Sequence, residues 1–416
     1  MNTPQPDFPI YIGADALEPF SQFIQSRNLS RFYLVCDPHT YQALGQKVIT
    51  RLDRDGMEVK TICLEGDEII ADEATLIQVL LAVGEDVRPF IAVGSGTLTD
   101  ITRYASYVTR APFISLPTAP SVDGYTSMNA PLVIRRYKET IKAHGPLGVF
   151  ADLPTLCAAP RPLIAAGFGD MLGKLTALAD WKLSHLLMDE PYDKEVATRA
   201  NKALQSCIDQ ADEIGKGTEK GICTLMEGLI ETGLCMLKVG LSHPASGSEH
   251  HISHFWEMKL LRENRPAIFH GAKVGAATAI MAGYYQELRQ TSPADLAALA
   301  AHATLPDRED EIQAIRSTFG PISDQIIETQ GIYLSLKLAD FEALKRRVIT
   351  HAAGILQIAD DVPTPAEVKS LLTATGAAID PESLGLNQED VRLGVENAHW
   401  LRSHFTLLTL RHLLAW

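Results

Sequence analysis

An α/β domain built on a parallel sheet, followed by an all-helical domain, is the architecture this sequence predicts. Three observations predict it. Short apolar runs ending in turn residues recur through the first third of the chain, helix-length segments separate them, and beyond about Ala159 the apolar spacing becomes helical and stays so. The 416 residues exceed what one hydrophobic core usually fills, so two domains are expected. The change of texture sets them at residues 1–158 and 159–416.

Phe32-Tyr33-Leu34-Val35 is the first clear strand, closed by Cys36-Asp37-Pro38. The runs 59–64, 90–93 and 112–116 have the same character, and such buried strands with helical connections imply a parallel sheet covered on both faces. Leu132-Val133-Ile134-Arg135-Arg136 and Thr140-Ile141-Lys142 read as a hairpin, followed by a further run at Val149-Phe150-Ala151. Helices are expected over 170–187, 194–214, 217–240, 267–289, 338–355 and 387–415, with Gly167-Phe168-Gly169-Asp170 opening the first. Asn387, followed by Glu389 and Asp390, is a helix-start signal for the last.

Composition excludes several classes of function. A net charge of −14, with no run of Lys and Arg, lacks the basic face that nucleic acid requires. No stretch reaches the roughly 18 consecutive apolar residues of a membrane span. The opening residues 1–9 are polar and proline-bearing, without the basic-then-apolar pattern of a signal peptide. Cysteines at 36, 63, 157, 207, 223 and 235 never take CxxC spacing and sit mostly among apolar neighbours, which fits a reducing compartment. A cytoplasmic protein is expected.

Two loops could hold an anionic ligand. Phe90-Ile91-Ala92-Val93 runs into Gly94-Ser95-Gly96-Thr97 and then a helix, a layout in which backbone N–H groups at a helix start point at a phosphate. The third glycine of the GxGxxG pattern is absent, since position 99 is Thr, and no acidic residue follows at the usual distance. An ordinary Rossmann assignment is therefore unsupported. The next strand ends in a hydroxyl-rich loop, Pro117-Thr118-Ala119-Pro120-Ser121-Val122-Asp123-Gly124-Tyr125-Thr126-Ser127. In an open parallel sheet such neighbouring loops line the ligand crevice, which makes a dinucleotide the expected occupant. Asp37, ending an earlier strand, is a candidate for an adenosine ribose and equally a solvated turn residue.

Metal chemistry is suggested further on. Ser246-Gly247-Ser248-Glu249-His250-His251-Ile252-Ser253-His254 places His250 and His254 on one helix face and turns His251 away by about 100°. His270 follows in Phe269-His270-Gly271-Ala272-Lys273-Val274-Gly275, and Asp170 lies far upstream. A carboxylate with imidazoles from separate helices suits Zn, Fe or Ni with open positions for substrate. There is no HExxH, so a zinc protease is not indicated. Spacing alone does not choose among these donors.

Together, in this order, Gly94-Ser95-Gly96-Thr97 with Asp100, the 117–124 loop, Gly169-Asp170, Ser246-Gly247-Ser248-Glu249-His250 and His270-Gly271-Ala272-Lys273-Val274-Gly275 make a recognisable set. Over roughly residues 10 to 290 the chain resembles the sn-glycerol-1-phosphate dehydrogenases, within the group of iron-containing alcohol dehydrogenases, glycerol dehydrogenases and dehydroquinate synthases. The resemblance implies a dehydroquinate synthase-like fold whose first domain binds NAD(P) and whose helical domain binds metal and substrate, with the active site in the cleft between them. By position it implies metal ligands Asp170, His250 and His270. Gly94, Ser95, Gly96, Thr97, Thr118, Ser121 and Ser127 would bind the cofactor, and Asp123 and His254 would face the substrate. One divalent ion is implied, Zn first, with Ni or Fe as alternatives, along with a homo-oligomer (dimer or higher) and a place in phospholipid metabolism.

The implied reaction interconverts dihydroxyacetone phosphate and sn-glycerol 1-phosphate. A metal Lewis acid would act at the carbonyl, His254 would donate the proton and Asp123 would hold a substrate hydroxyl. The family pattern carries Arg-Pro-Ala-Ser-Gly ahead of Glu-His, whereas this chain has His243-Pro244-Ala245-Ser246-Gly247. Phosphorylated and unphosphorylated polyols thus both stay open at this point. So do a glycerol dehydrogenase, a sugar-phosphate cyclase resembling dehydroquinate synthase, and a catalytically idle nucleotide- and metal-binding sensor.

Overall fold

Uninterrupted apolar runs along the early strands decide how the first part of the chain packs. In a computed structural model, which describes residues 8–66 and 68–416, six strands form one parallel sheet. They are β1 (Ile10–Gly13), β2 (Arg31–Cys36), β3 (Glu58–Cys63), β4 (Phe90–Gly94), β5 (Phe113–Pro117) and, after the hairpin β6 (Asn129–Ile134) and β7 (Tyr137–Lys142), β8 (Val149–Asp152). The order across the sheet is β1-β8-β5-β4-β2-β3. Successive side chains point to opposite faces. Tyr33, Val35, Phe90, Ala92 and Phe113 therefore join one apolar core, and Phe32, Leu34, Ile91, Val93, Ile114 and Leu116 join the other. Every residue of β4 and β5 is buried, as expected for strands covered on both faces.

The chain divides into two compact units, one containing residues up to 171 with 205–238, the other 172–204 with 239–416. The first unit is the sheet with its helices. Helix Glu219–Val239 contributes to it because Gly233 lies against the 123–126 turn, where a Cβ would come within 2.6 Å of the Asp123 carbonyl. The second unit is helical. Ser248–Arg262 packs on His270–Gln290, and Leu338–Asp360 lies against both Lys174–Met188 and Pro293–His302. No helix among the described residues is long and apolar enough to cross a membrane. Residues 1–7 of the polar opening lie outside the described residues.

Several elements differ from the sequence expectation. β1 was not predicted; it is half-buried throughout and owes its place to parallel pairing with β8. The helix expected to open at 167–170 begins at Arg161 and runs to Leu172. Its glycines mark close packing rather than a start. A Cβ on Gly167 would stand 1.8 Å from the Pro120 carbonyl oxygen, so only glycine lets this helix reach the loop after β5. The segment 194–214 is divided at Gln210 into Lys194–Asp209 and Ala211–Lys216. The expected helix 387–415 is two, Gln388–Asn397 and Leu407–Leu414, separated by a 3₁₀ turn at Ala398–Leu401. A new N-cap restarts it, with the Thr406 hydroxyl accepting from the Thr409 N–H. Asn387 caps as expected, in a reciprocal box with Asp390.

Candidate active site

In the first unit, the sheet order places a ligand crevice. From β2 the chain moves outward to β3, then crosses to β4 and continues the other way through β5, so the winding reverses between β2 and β4. In doubly wound sheets ligands bind at the carboxyl ends of the strands flanking such a reversal. Asp37 follows β2, Gly94 ends β4 with Ser95, Gly96 and Thr97 after it, and Thr118 and Ser121 follow β5.

Ser95 is the N-cap of helix Gly96–Val108 and makes no side-chain capping bond, so the cap leaves the first turn's N–H groups available to an anion. A Cβ on Gly96 would approach Val122 Cγ2 to 2.7 Å, which ties this glycine to the neighbouring loop as well. The Thr118 N–H donates to the Gly94 carbonyl at 3.2 Å, joining the two loops. Ser121 lies 3.3 Å from the Tyr125 hydroxyl, which in turn donates to the Ala119 carbonyl. The Ser127 hydroxyl accepts from the Asn129 N–H. Asp37 uses Oδ1 to cap the turn Pro38–Thr40, accepting from the Thr40 N–H at 2.7 Å.

One residue that sequence reasoning passed over, Arg103, holds this region together with Asp170. Arg103, wholly buried, pairs with Asp100 and donates to the carbonyls of Gly124 and Asn129, clamping the turn that carries Asp123 and Ser127. Burial pushes the Asp100 carboxyl up to about 6 against the pull of Arg103. Asp170 is also wholly buried, and its Oδ2 accepts the backbone N–H of Asp123 at 3.0 Å.

In the second unit, the helix Ser248–Arg262 starts where Asp180 demands it. The Asp180 Oδ2 accepts the Ser248 N–H at 2.7 Å, while its Oδ1 accepts from the Tyr285 hydroxyl and the Leu407 N–H. Burial, with Glu249 close by, raises this carboxyl to about 6 despite three donors. The signal for Asp180 was a lone acid within the apolar stripe of a predicted helix, a position where an acid is buried only with partners.

Glu249, which the motif includes but sequence reasoning left without a role, orients the first histidine. Its Oε1 lies 2.7 Å from His250 Nδ1 and accepts the Gly247 N–H, while its Oε2 accepts from the Thr176 hydroxyl. With Nδ1–H engaged, the lone pair of His250 resides on Nε2, the arrangement by which metal-binding imidazoles are held. The rings of His250 and His270 have centroids 5.2 Å apart, those of His250 and His254 6.2 Å, and those of His254 and His270 5.5 Å. Glu257 stands 3.7 Å from His254 Nδ1 and 3.2 Å from the buried ammonium of Lys273. His254, Glu257 and His270 also bring one donor atom each within 4.8 Å of one another.

The structure therefore gathers Asp123 with Asp170 in the first unit, and His250, His254 and His270 in the second. His251, turned away as its spacing predicts, faces His404 at 3.2 Å. His243 pairs with Glu190 at 2.7 Å.

The family profile described as iron-containing alcohol dehydrogenase matches residues 11–160, the stretch that holds the parallel sheet. Solved structures share the fold. An archaeal halo-thermophilic alcohol dehydrogenase from a Red Sea brine pool aligns with a TM-score of 0.61 over 100% of this chain and 98% of its own, at 14% identity. Glycerol dehydrogenase from Schizosaccharomyces pombe aligns at 0.56 over 85% of this chain and 92% of its own, at 17% identity. Sequence relatives narrow the class. Glycerol-1-phosphate dehydrogenase [NAD(P)+] of Geobacillus stearothermophilus is 38% identical over 97% of this chain and 92% of its own length, and that of Bacillus subtilis is 42% identical over 75% and 82%. The chain belongs to the glycerol-1-phosphate dehydrogenase [NAD(P)+] family.

Proposed function

We propose that this chain is an NAD(P)-linked dehydrogenase that interconverts dihydroxyacetone phosphate and sn-glycerol 1-phosphate. The observation that carries the reading is the likeness to glycerol-1-phosphate dehydrogenases along nearly the whole chain. The glycerol dehydrogenase alternative is disfavoured, because the relatives that match along most of the chain are named glycerol-1-phosphate dehydrogenase. The relatives' names equally disfavour a cyclase or an idle sensor.

In this reading residues 1–158 carry the dinucleotide and 159–416 the metal and substrate. Asp170, His250 and His270 would hold one divalent ion. The donor set fits: two imidazoles and a carboxylate suit Zn, and also Ni or Fe, while the Glu249–His250 bond fixes the tautomer a ligand needs. When bound, the metal supplies Lewis-acid polarisation of the carbonyl and the nicotinamide supplies the hydride. The chain's own residues do the rest. Gly94, Ser95, Gly96 and Thr97 offer N–H groups to the pyrophosphate, Thr118, Ser121 and Ser127 line the neighbouring loop, and Asp37 takes the ribose. The Asp123 N–H orients the Asp170 carboxylate, and the Asp123 side chain holds a substrate hydroxyl. His254 gives a proton to the substrate oxygen, and Glu257 beside it stabilises the imidazolium that forms on the return.

Six free cysteines suit a cytoplasmic setting, and a homo-oligomer is the assembly we infer from the family. The test is anaerobic reconstitution with Zn, Ni or Fe, followed by dihydroxyacetone phosphate with NADH or NADPH. Nucleotide oxidation coupled to glycerol 1-phosphate formation is expected. Turnover of glycerol and not of its phosphate would overturn the substrate assignment.

A further inference from the structure

The second unit holds another set of metal-type donors, drawn from three segments that the reaction does not use. Glu311 lies in the first turn of helix Arg308–Phe319, His399 in the 3₁₀ turn Ala398–Leu401, and His412 near the end of helix Leu407–Leu414. One donor atom from each lies within 4.8 Å of the other two. The imidazoles of His399 and His412 stack with centroids 4.1 Å apart and planes 25° from parallel, and Trp400 stands edge-on to His412 at 5.3 Å. His412 Nε2 is 2.8 Å from Glu311 Oε2.

His399 is the informative member. Only 4% of it is exposed, and its Nε2 is buried without a hydrogen-bond partner. Its other ring nitrogen donates to the backbone carbonyl of Glu396. That bond fixes the tautomer and leaves a lone pair on Nε2, buried and unused, which proteins rarely tolerate unless something is bound there. The neighbouring cation does not compete, because the Arg411 guanidinium turns to Glu287.

We propose that Glu311, His399 and His412 form a second divalent-metal site, suited to Zn²⁺ through two imidazole nitrogens and one carboxylate oxygen. Bonds of about 2.0–2.2 Å to a tetrahedral ion put its ligands roughly 3.3–3.5 Å apart, within reach of small side-chain rotations from the present spacing. A water takes the fourth position, because Glu311 and His412 are partly open to solvent. The ion is structural. It ties the turn after helix Gln388–Asn397 and the C-terminal helix to helix Arg308–Phe319, and it leaves the dehydrogenase chemistry to the donors already described.

The test counts metal. The full chain, stripped with a chelator and then dialysed against Zn²⁺, should retain two equivalents by mass spectrometry. Glu311→Gln and His412→Gln should each retain one, with unchanged turnover once the first site is filled, and circular dichroism should verify their fold. His412→Cys should bring the second equivalent back, because a thiolate replaces an imidazole as a zinc donor. His270→Ala in the same assay should lose one equivalent and keep the one that Glu311→Gln removes, which separates this site from the proposed catalytic one. Retention of the same zinc content by wild type, Glu311→Gln and His412→Gln would overturn the proposal, whatever the fate of His270→Ala.

Discussion

Two histidine clusters of the helical unit are assembled in different ways. His250 and His254 come from a single helix, one turn apart, and His270 begins the next helix in the chain. Glu311, His399 and His412 come from three segments about a hundred residues apart at their extremes, and only tertiary packing unites them. The first cluster is also braced by carboxylates, Glu249 on His250 and Glu257 between His254 and Lys273. In the second, the carboxylate of Glu311 sits on His412 as a proposed ligand, and His399 Nε2 is buried without a hydrogen-bond partner. The contrast teaches that a carboxylate can serve histidines in two ways, orienting a proposed ligand from behind, as Glu249 does, or joining the proposed ligand set, as Glu311 does.

Removing a donor from the first cluster should produce the largest effect. His270→Ala, or Asp170→Ala, is expected to lose the catalytic metal and essentially all dehydrogenase activity while far-UV circular dichroism stays unchanged. Full activity in Asp170→Ala would point to the set His254, Glu257 and His270 as the donors, and full activity in His270→Ala would exclude both sets. His254→Ala should come next. If His254 donates the proton, the rate at saturation falls by roughly 10²–10⁴-fold with metal content retained. A raised KM with unchanged kcat would instead make it a substrate-positioning residue.

Bracing is tested by Glu249→Gln, whose expected effect is smaller. The amide keeps the shape and loses the charge that accepts from His250 Nδ1–H, so metal affinity or activity should drop by about 10–100-fold, the usual worth of such a supporting partner. An unchanged metal affinity would remove the supporting role assigned to Glu249.

How much of this was legible follows the range of the interactions. The uninterrupted apolar runs Phe32 to Val35 and Phe90 to Val93 announced a sheet covered on both faces, and the two cores sort these residues by face. The spacing of His250, His251 and His254 announced which ring turns away, because a helix has one period. The contacts of Gly167 and Gly233 were not legible. Each owes its identity to a backbone met far along the chain, and in the sequence alone Gly167 reads as punctuation. Arg103 and Asp180 were missed for the same reason. Their partners are carbonyls and N–H groups of distant turns, and backbone groups leave no mark on residue type. The helical texture after residue 159 likewise says nothing of which unit a helix joins, and Glu219–Val239 packs with the sheet.

The smallest expected effect probes the segment that carries His399. Asn387 caps helix Gln388–Asn397, its Oδ1 accepting the Asp390 N–H at 2.9 Å, while the Asp390 carboxylate accepts the Asn387 N–H in return. Asn387→Ala removes the first of these bonds and keeps the second, since a backbone donor remains. Asp390 also keeps Lys259, Arg265 and the Trp256 indole that donates to its carbonyl, so the helix start stays anchored. The cost should therefore be about 0.5–1 kcal/mol, the lower part of the range for a lost cap. In a chain this long that is a fall in Tm of only a few degrees, read by calorimetry. The two clusters should respond differently. The Asn387 cap has no bond to His250, His254 or His270, and catalytic metal binding should be unaffected. His399 sits just beyond the C-terminal end of this helix, and the zinc equivalent assigned to it should bind more weakly as the helix frays. Equal weakening at both sites would mean that the cap acts on the whole unit, and the two clusters would then be one cooperative element.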